Sequence, residues 1–139
     1  MFDVDPIRVV DGHEVFFETM GSKFNSHPPI CDFRVRPTDN PLSAQVFAGV
    51  EEFGTSDELY LLDDLADVEV LLEVGPQGPH AGAPIAYLHS VGAGRVLYCS
   101  LGHSGSPTHP HGQHRCSWAV PEFATVLDRA VGWLLDDLR

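Results

Sequence analysis

The sequence predicts an α/β domain built on an antiparallel ribbon and closed by an amphipathic helix, and three observations carry that reading. Val68 to Val74, Ile85 to His89 and Val96 to Ser100 are dense in β-branched and aromatic residues, and glycine- and proline-rich turns separate them, as in a meander. In the third run Val96, Leu97, Tyr98 and Cys99 are apolar without a break, which predicts a strand covered on both faces and lying inside the sheet. From Pro121 onward Phe123, Val126, Leu127, Ala130, Val131, Leu134, Leu135 and Leu138 recur at the spacing of one helical face.

The remaining elements follow in order. Ile7 to Val10 is a short β-branched run, Asp11-Gly12-His13 a turn, and Glu14 to Met20 a helix closed by Gly21. Strand, tight turn and helix is also the layout of a nucleophile elbow, but no Cys or Ser stands in this turn, so it reads as a plain βα connection. Lys23 to Pro29 reads as irregular, since the Pro-Pro pair forces His27 and Pro28 toward extended geometry. Phe33 and Val35 alternate with Arg34 and Arg36, a strand with one wet face. Thr38 to Pro41 is a turn, Leu42 to Val50 weakly helical or irregular, and Phe53 to Tyr60 passes from loop into a short extended segment. Asp63, Asp64 and Asp67 read as a solvated acidic loop, and Gly75 to Pro84 as the loop leading to the hairpin. The hairpin turn holds Gly92-Ala93-Gly94, which joins two strands instead of opening a helix and is no dinucleotide fingerprint.

A chain of 139 residues reads as one domain, 1–139, able to bury roughly 70% of its unfolded surface. Eight basic residues against 20 acidic ones give a net charge of −12, a field that repels phosphate backbones and anionic lipid, so neither nucleic acid nor membrane is an expected partner. Three cysteines, Cys31, Cys99 and Cys116, at no metal or redox spacing, read as reduced thiols. No secretory signal is visible at the start of the sequence, and the expected location is cytoplasmic.

Candidate chemistry gathers after the third strand. Leu101, Gly102 and His103 place an imidazole at a strand's carboxyl end, where open α/β sheets keep their ligand sites; the alternative is a core or capping histidine bonded to backbone. Asp57 and Glu58 are candidate orienting carboxylates for it. Neighbours on an extended segment face opposite ways, so at most one of the two turns inward, and a capping role for Ser56 or Asp57 stays open. The following loop carries His109, His111, His114 and Cys116. These donors suit zinc within reach of His103, although the spacings are not those of structural zinc sites, and a solvated loop stays open.

Five fragments in sequence, FFETMGSKFNSHPP, TSDELYLL, VEVLLEV, PIAYLHSVGAGRVLYCSLGH and AVGWLL, together resemble the ThuA-like (trehalose utilisation) domain family over about Glu14 to Leu138. The resemblance implies a flavodoxin-like, class I glutamine amidotransferase-like sandwich, here truncated at the N-terminus, because only Met1 to His13 remains of the family's preceding βα units. It implies a carbohydrate-derived small molecule as ligand, and the residues' own pattern puts its binding or processing at His103, aided by His109 or His111 and by Asp57 or Glu58 as orienting carboxylate. Relatives carry histidines after their GH motif and some hold a divalent metal, which adds to the case for one, zinc foremost, on His103, His109, His111 and His114. A sheet so shortened is expected to form a homodimer or to be part of a longer product. The rival readings are a non-catalytic binding or assembly module and a simple divalent-metal-binding protein; whether the protein is an enzyme stays open.

Overall fold

A computed structural model of the chain describes residues 13–105 and 114–136. Ile7 to Val10, residues 11 and 12 of the first turn, and His109 and His111 lie outside them. Helix α1, Glu14–Met20, ends at Gly21 as its sequence predicts. Strands β1, Lys23–Ser26, and β4, Leu61–Asp63, form a small two-stranded sheet. It replaces the irregular segment and part of the acidic loop expected there. Short polar strands carry little periodicity, and the pairing is tied by contacts distant in sequence, Lys23 to Asp64 at 2.7 Å and Asn25 to Asp63 at 2.7 Å.

The main sheet runs β3-β2-β5-β6-β7, with β2 Cys31–Pro37, β3 Phe53–Asp57, β5 Glu69–Val74, β6 Pro84–Val91 and β7 Gly94–Cys99. Every strand pairing among the described residues is antiparallel. The expected meander is present as β5-β6-β7, and Val91 opposite Gly94 makes the β6-β7 turn a two-residue one. Gly92 takes φ 56° there, the left-handed backbone such hairpin turns need.

Helices cover both faces of the β6-β7 hairpin. On one face Tyr87 donates its hydroxyl to the Met20 carbonyl, His89 meets the Thr19 carbonyl, and Tyr98, directly opposite Tyr87, stacks on it at 4.8 Å. That face belongs to α1. On the other lie Leu97 and Cys99, with Arg95 placed 4.6 Å over the Trp133 ring of α3, Pro121–Asp136. The core combines Val35, Leu71, Leu72, Ile85 and Leu88 of the sheet with Val46 and Phe47 at the end of α2, Pro41–Val46, and Val126 and Ala130 of α3.

Two expectations change. Among the described residues the apolar run of β7 does not mark an interior strand: β7 stands at the end of the sheet and pairs only with β6. The run is continuous because each face meets a helix layer, and facial cover is independent of edge pairing. The apolar stripe of α3 is also wider than its buried face. Phe123, Val126 and Ala130 are buried, whereas Val131 and Leu135 are exposed.

Candidate functional site

The site is organised by the end of β3. Phe53, Thr55 and Asp57 point inward along this strand, so Asp57 arrives fully buried at its last position. A buried carboxyl needs donors, and Asp57 collects them from three segments. Oδ1 accepts the N–H of Glu58 at 2.8 Å and of His103 at 3.2 Å. Oδ2 accepts the N–H of Gly102 at 2.9 Å and of Ser117 at 3.3 Å, and takes the Ser117 hydroxyl as well. Thr55 meets the same hydroxyl at 2.7 Å. One side chain thus ties β3, the loop after β7, and the 3-10 turn Cys116–Ala119 together.

Gly102 is required by close approach as well as by conformation. Its φ is 105°, and a Cβ there would stand 3.0 Å from Phe123 Cζ and 3.2 Å from Trp118 Nε1. Trp118 and Phe123 meet edge to face at 5.0 Å, and the indole N–H donates to the Gly102 carbonyl at 2.6 Å. The backbone entering His103 is therefore held from both of its polar sides.

From that anchored loop His103 directs Nδ1 to Glu58 Oε2 at 3.2 Å. Its Nε2 is buried and has no hydrogen-bond partner among the described residues. Glu58 lies past the end of β3, where strand alternation no longer applies, so both acidic neighbours serve one histidine: Asp57 holds its backbone and Glu58 its ring. The expectation that at most one carboxylate turns inward gives way to this division. The His27 Nε2 also approaches Glu58 Oε2, at 3.9 Å, while its Nδ1 lies 2.8 Å from the Pro28 carbonyl.

His114 stacks on His103 at 5.0 Å, and its Nδ1 lies 3.2 Å from Cys116 Sγ. The Cys116 thiol is pushed up to about 11, by burial first and then by the negative charge of Asp57. A protonated thiol is a poor nucleophile and a poor metal ligand near neutral pH. Among the described residues no group of three or more His, Cys, Asp or Glu side chains could hold a metal ion, so these residues do not by themselves fit a zinc centre. A cleft of about 470 Å³ lined by Phe17, Glu18, Lys23, Asp64 and His89 is separate from His103.

Sequence reasoning brought His103, Asp57, Glu58 and His114 to one neighbourhood and missed His27, Ser117 and Trp118 as parts of it. The Pro-Pro pair marked His27 as constrained without saying toward what. Ser117 and Trp118 carry no spacing signal, because long-range hydrogen bonds place them.

Taken together, the chain is a mixed α/β domain whose antiparallel sheet and C-terminal helix present a histidine paired with a glutamate over a buried aspartate. A sequence profile for the ThuA domain, described as trehalose utilisation, matches residues 9–134, most of its length. The chain belongs to the ThuA family. No curated protein and no solved structure matches it significantly. No helix among the described residues is long and apolar enough to cross a membrane.

Proposed function

We propose that this ThuA-family protein binds and processes a carbohydrate-derived small molecule at His103. The observation that carries the reading is the pairing of His103 Nδ1 with Glu58 at 3.2 Å while Nε2 is left without a partner among the described residues. A carboxylate that accepts the Nδ1 proton fixes the tautomer whose Nε2 lone pair is free to accept one. A sugar hydroxyl brought to Nε2 satisfies that nitrogen, which otherwise costs about 1–3 kcal/mol as a buried unpaired group. The same nitrogen is then placed to take the hydroxyl proton as a general base, with Glu58 stabilising the imidazolium that forms. Asp57 contributes by holding the backbone on which the imidazole stands.

The finer fold reading, a flavodoxin-like and amidotransferase-like sandwich, draws its support from family membership and from the helix layers on both faces of the β6-β7 hairpin, whereas the described strands, all paired antiparallel, supply none of the parallel sheet on which such a fold is built. Function does not follow from fold alone, and the site decides the test. Isothermal titration with trehalose, glucose and their keto derivatives should give saturable heat with the wild type. His103→Ala should weaken binding at least tenfold and Glu58→Gln less. Binding equal in all three proteins would refute the site. Binding without turnover of any of these sugars would favour a non-catalytic module.

A further inference from the structure

We propose that Trp118 is the stacking platform for the ring of a neutral pyranose at this site, an inference that rests on the carbohydrate reading above. Trp118 is 50% exposed, a large apolar surface left open beside the His103 loop. Its exposure is not looseness. The indole N–H is fastened to the Gly102 carbonyl at 2.6 Å, and the ring is braced edge to face on Phe123 at 5.0 Å and 79°. The preceding residue, Ser117, is held on Asp57 by both its N–H and its hydroxyl. Tryptophan fixed in this way presents a rigid flat surface, and its ordering is complete before a ligand arrives.

A pyranose has the complementary chemistry. Its hydroxyls lie around the rim, where His103 and Glu58 offer an acceptor and a carboxylate, and its ring C–H groups form an apolar face that gains by leaving water against an indole. A ring with all hydroxyls equatorial presents that face unbroken, whereas an axial hydroxyl interrupts it. Charge narrows the class further. Glu58 and Asp57 lie at the site and the chain carries −12, so a sugar phosphate is repelled and an uncharged sugar is not.

The chain has two tryptophans, Trp118 and Trp133, so the Trp133→Phe variant reports on Trp118 alone. Its fluorescence should shift to shorter wavelength as trehalose or glucose is added, saturating at the affinity that titration calorimetry gives for the wild type. Trp118→Ala should weaken binding by about tenfold or more, Trp118→Tyr should retain most of it, and galactose and glucose 6-phosphate should bind more weakly than glucose. Thermal unfolding identifies a variant that has lost the fold, and Trp118→Tyr, which keeps the aromatic face, then decides. Sugar heat that is unchanged in folded Trp118→Ala but lost in His103→Ala would overturn the platform and leave the carbohydrate reading standing. No heat with any of these sugars on the wild type would overturn both.

Discussion

Replacing Asp57 by asparagine tests whether one buried carboxyl assembles the site. The substitution keeps the volume, but one of its two acceptor oxygens becomes an NH2 group that faces donors. If the amide turns one way, the N–H groups of Glu58 and His103 lose their acceptor; if the other, those of Gly102 and Ser117 and the Ser117 hydroxyl do. At least two donors are stranded either way. At about 1–3 kcal/mol for each buried group left unsatisfied, partly relieved by relaxation, the loss is about 3 kcal/mol. Unfolding a chain of 139 residues carries an entropy of about 0.3 kcal/mol per kelvin, so the melting temperature should fall by about 10 °C. Scanning calorimetry at neutral pH measures this directly. Ser117→Ala, which removes only the hydroxyl shared with Asp57 and Thr55, should lose a third to a half as much. An Asp57→Asn melting temperature within about 2 °C of wild type would refute the reasoning.

Gly102→Ala should destabilise by about 2–4 kcal/mol, because the new Cβ combines a left-handed backbone with a 3.0 Å approach to Phe123; an unchanged urea midpoint would contradict that crowding. Alkaline pH should weaken the fold. Burial pushes the Cys99 thiol up to about 11, as it does that of Cys116, so between pH 9 and 11 the unfolded chain releases protons that the folded one keeps, and stability falls as pH rises. Replacing both thiols by alanine should make the fall of the urea midpoint across that window shallower, leaving the slope from Cys31, Tyr60, Tyr87 and Tyr98, whose protons burial also holds. Dialysis against a chelator tests the base role that the Glu58 pairing gives His103: sugar binding should be unchanged, whereas binding lost to the chelator and restored by zinc would make His103 a ligand instead of a base.

Much of the scaffold could be read in advance wherever one periodicity dominated. The 3.6-residue spacing after Pro121 located α3, and the turn-bounded apolar runs located β5, β6 and β7. Periodicity reports what covers a face and says nothing about what pairs along an edge, so the run of β7 reads as interior although, among the described residues, that strand ends the sheet. It also overstated the buried width of α3 at Val131 and Leu135. At the site, the GH dipeptide after a strand singled out His103, and the adjacent acids were visible as candidates. Their separate jobs were not, because the alternation rule holds only to Asp57 and the next residue escapes it. The buried serine and the indole brace depend on contacts 60 and 16 residues apart, and no local pattern encodes such pairs.

The pairing frame of β3 on β2 has a consequence for tolerance to length change. Cys31 stands opposite Asp57 and Phe33 opposite Thr55, and this alignment decides which acid meets the interior. A one-residue slip would carry Ser56 or Glu58 to the position that gathers the loop amides and rotate Phe53 and Thr55 out of the core. Insertions or deletions within Phe53–Asp57 therefore cannot be absorbed locally: each would unmake anchor and imidazole partner in a single stroke, whereas the same change in the glycine- and proline-rich stretch between β5 and β6 would leave both in place.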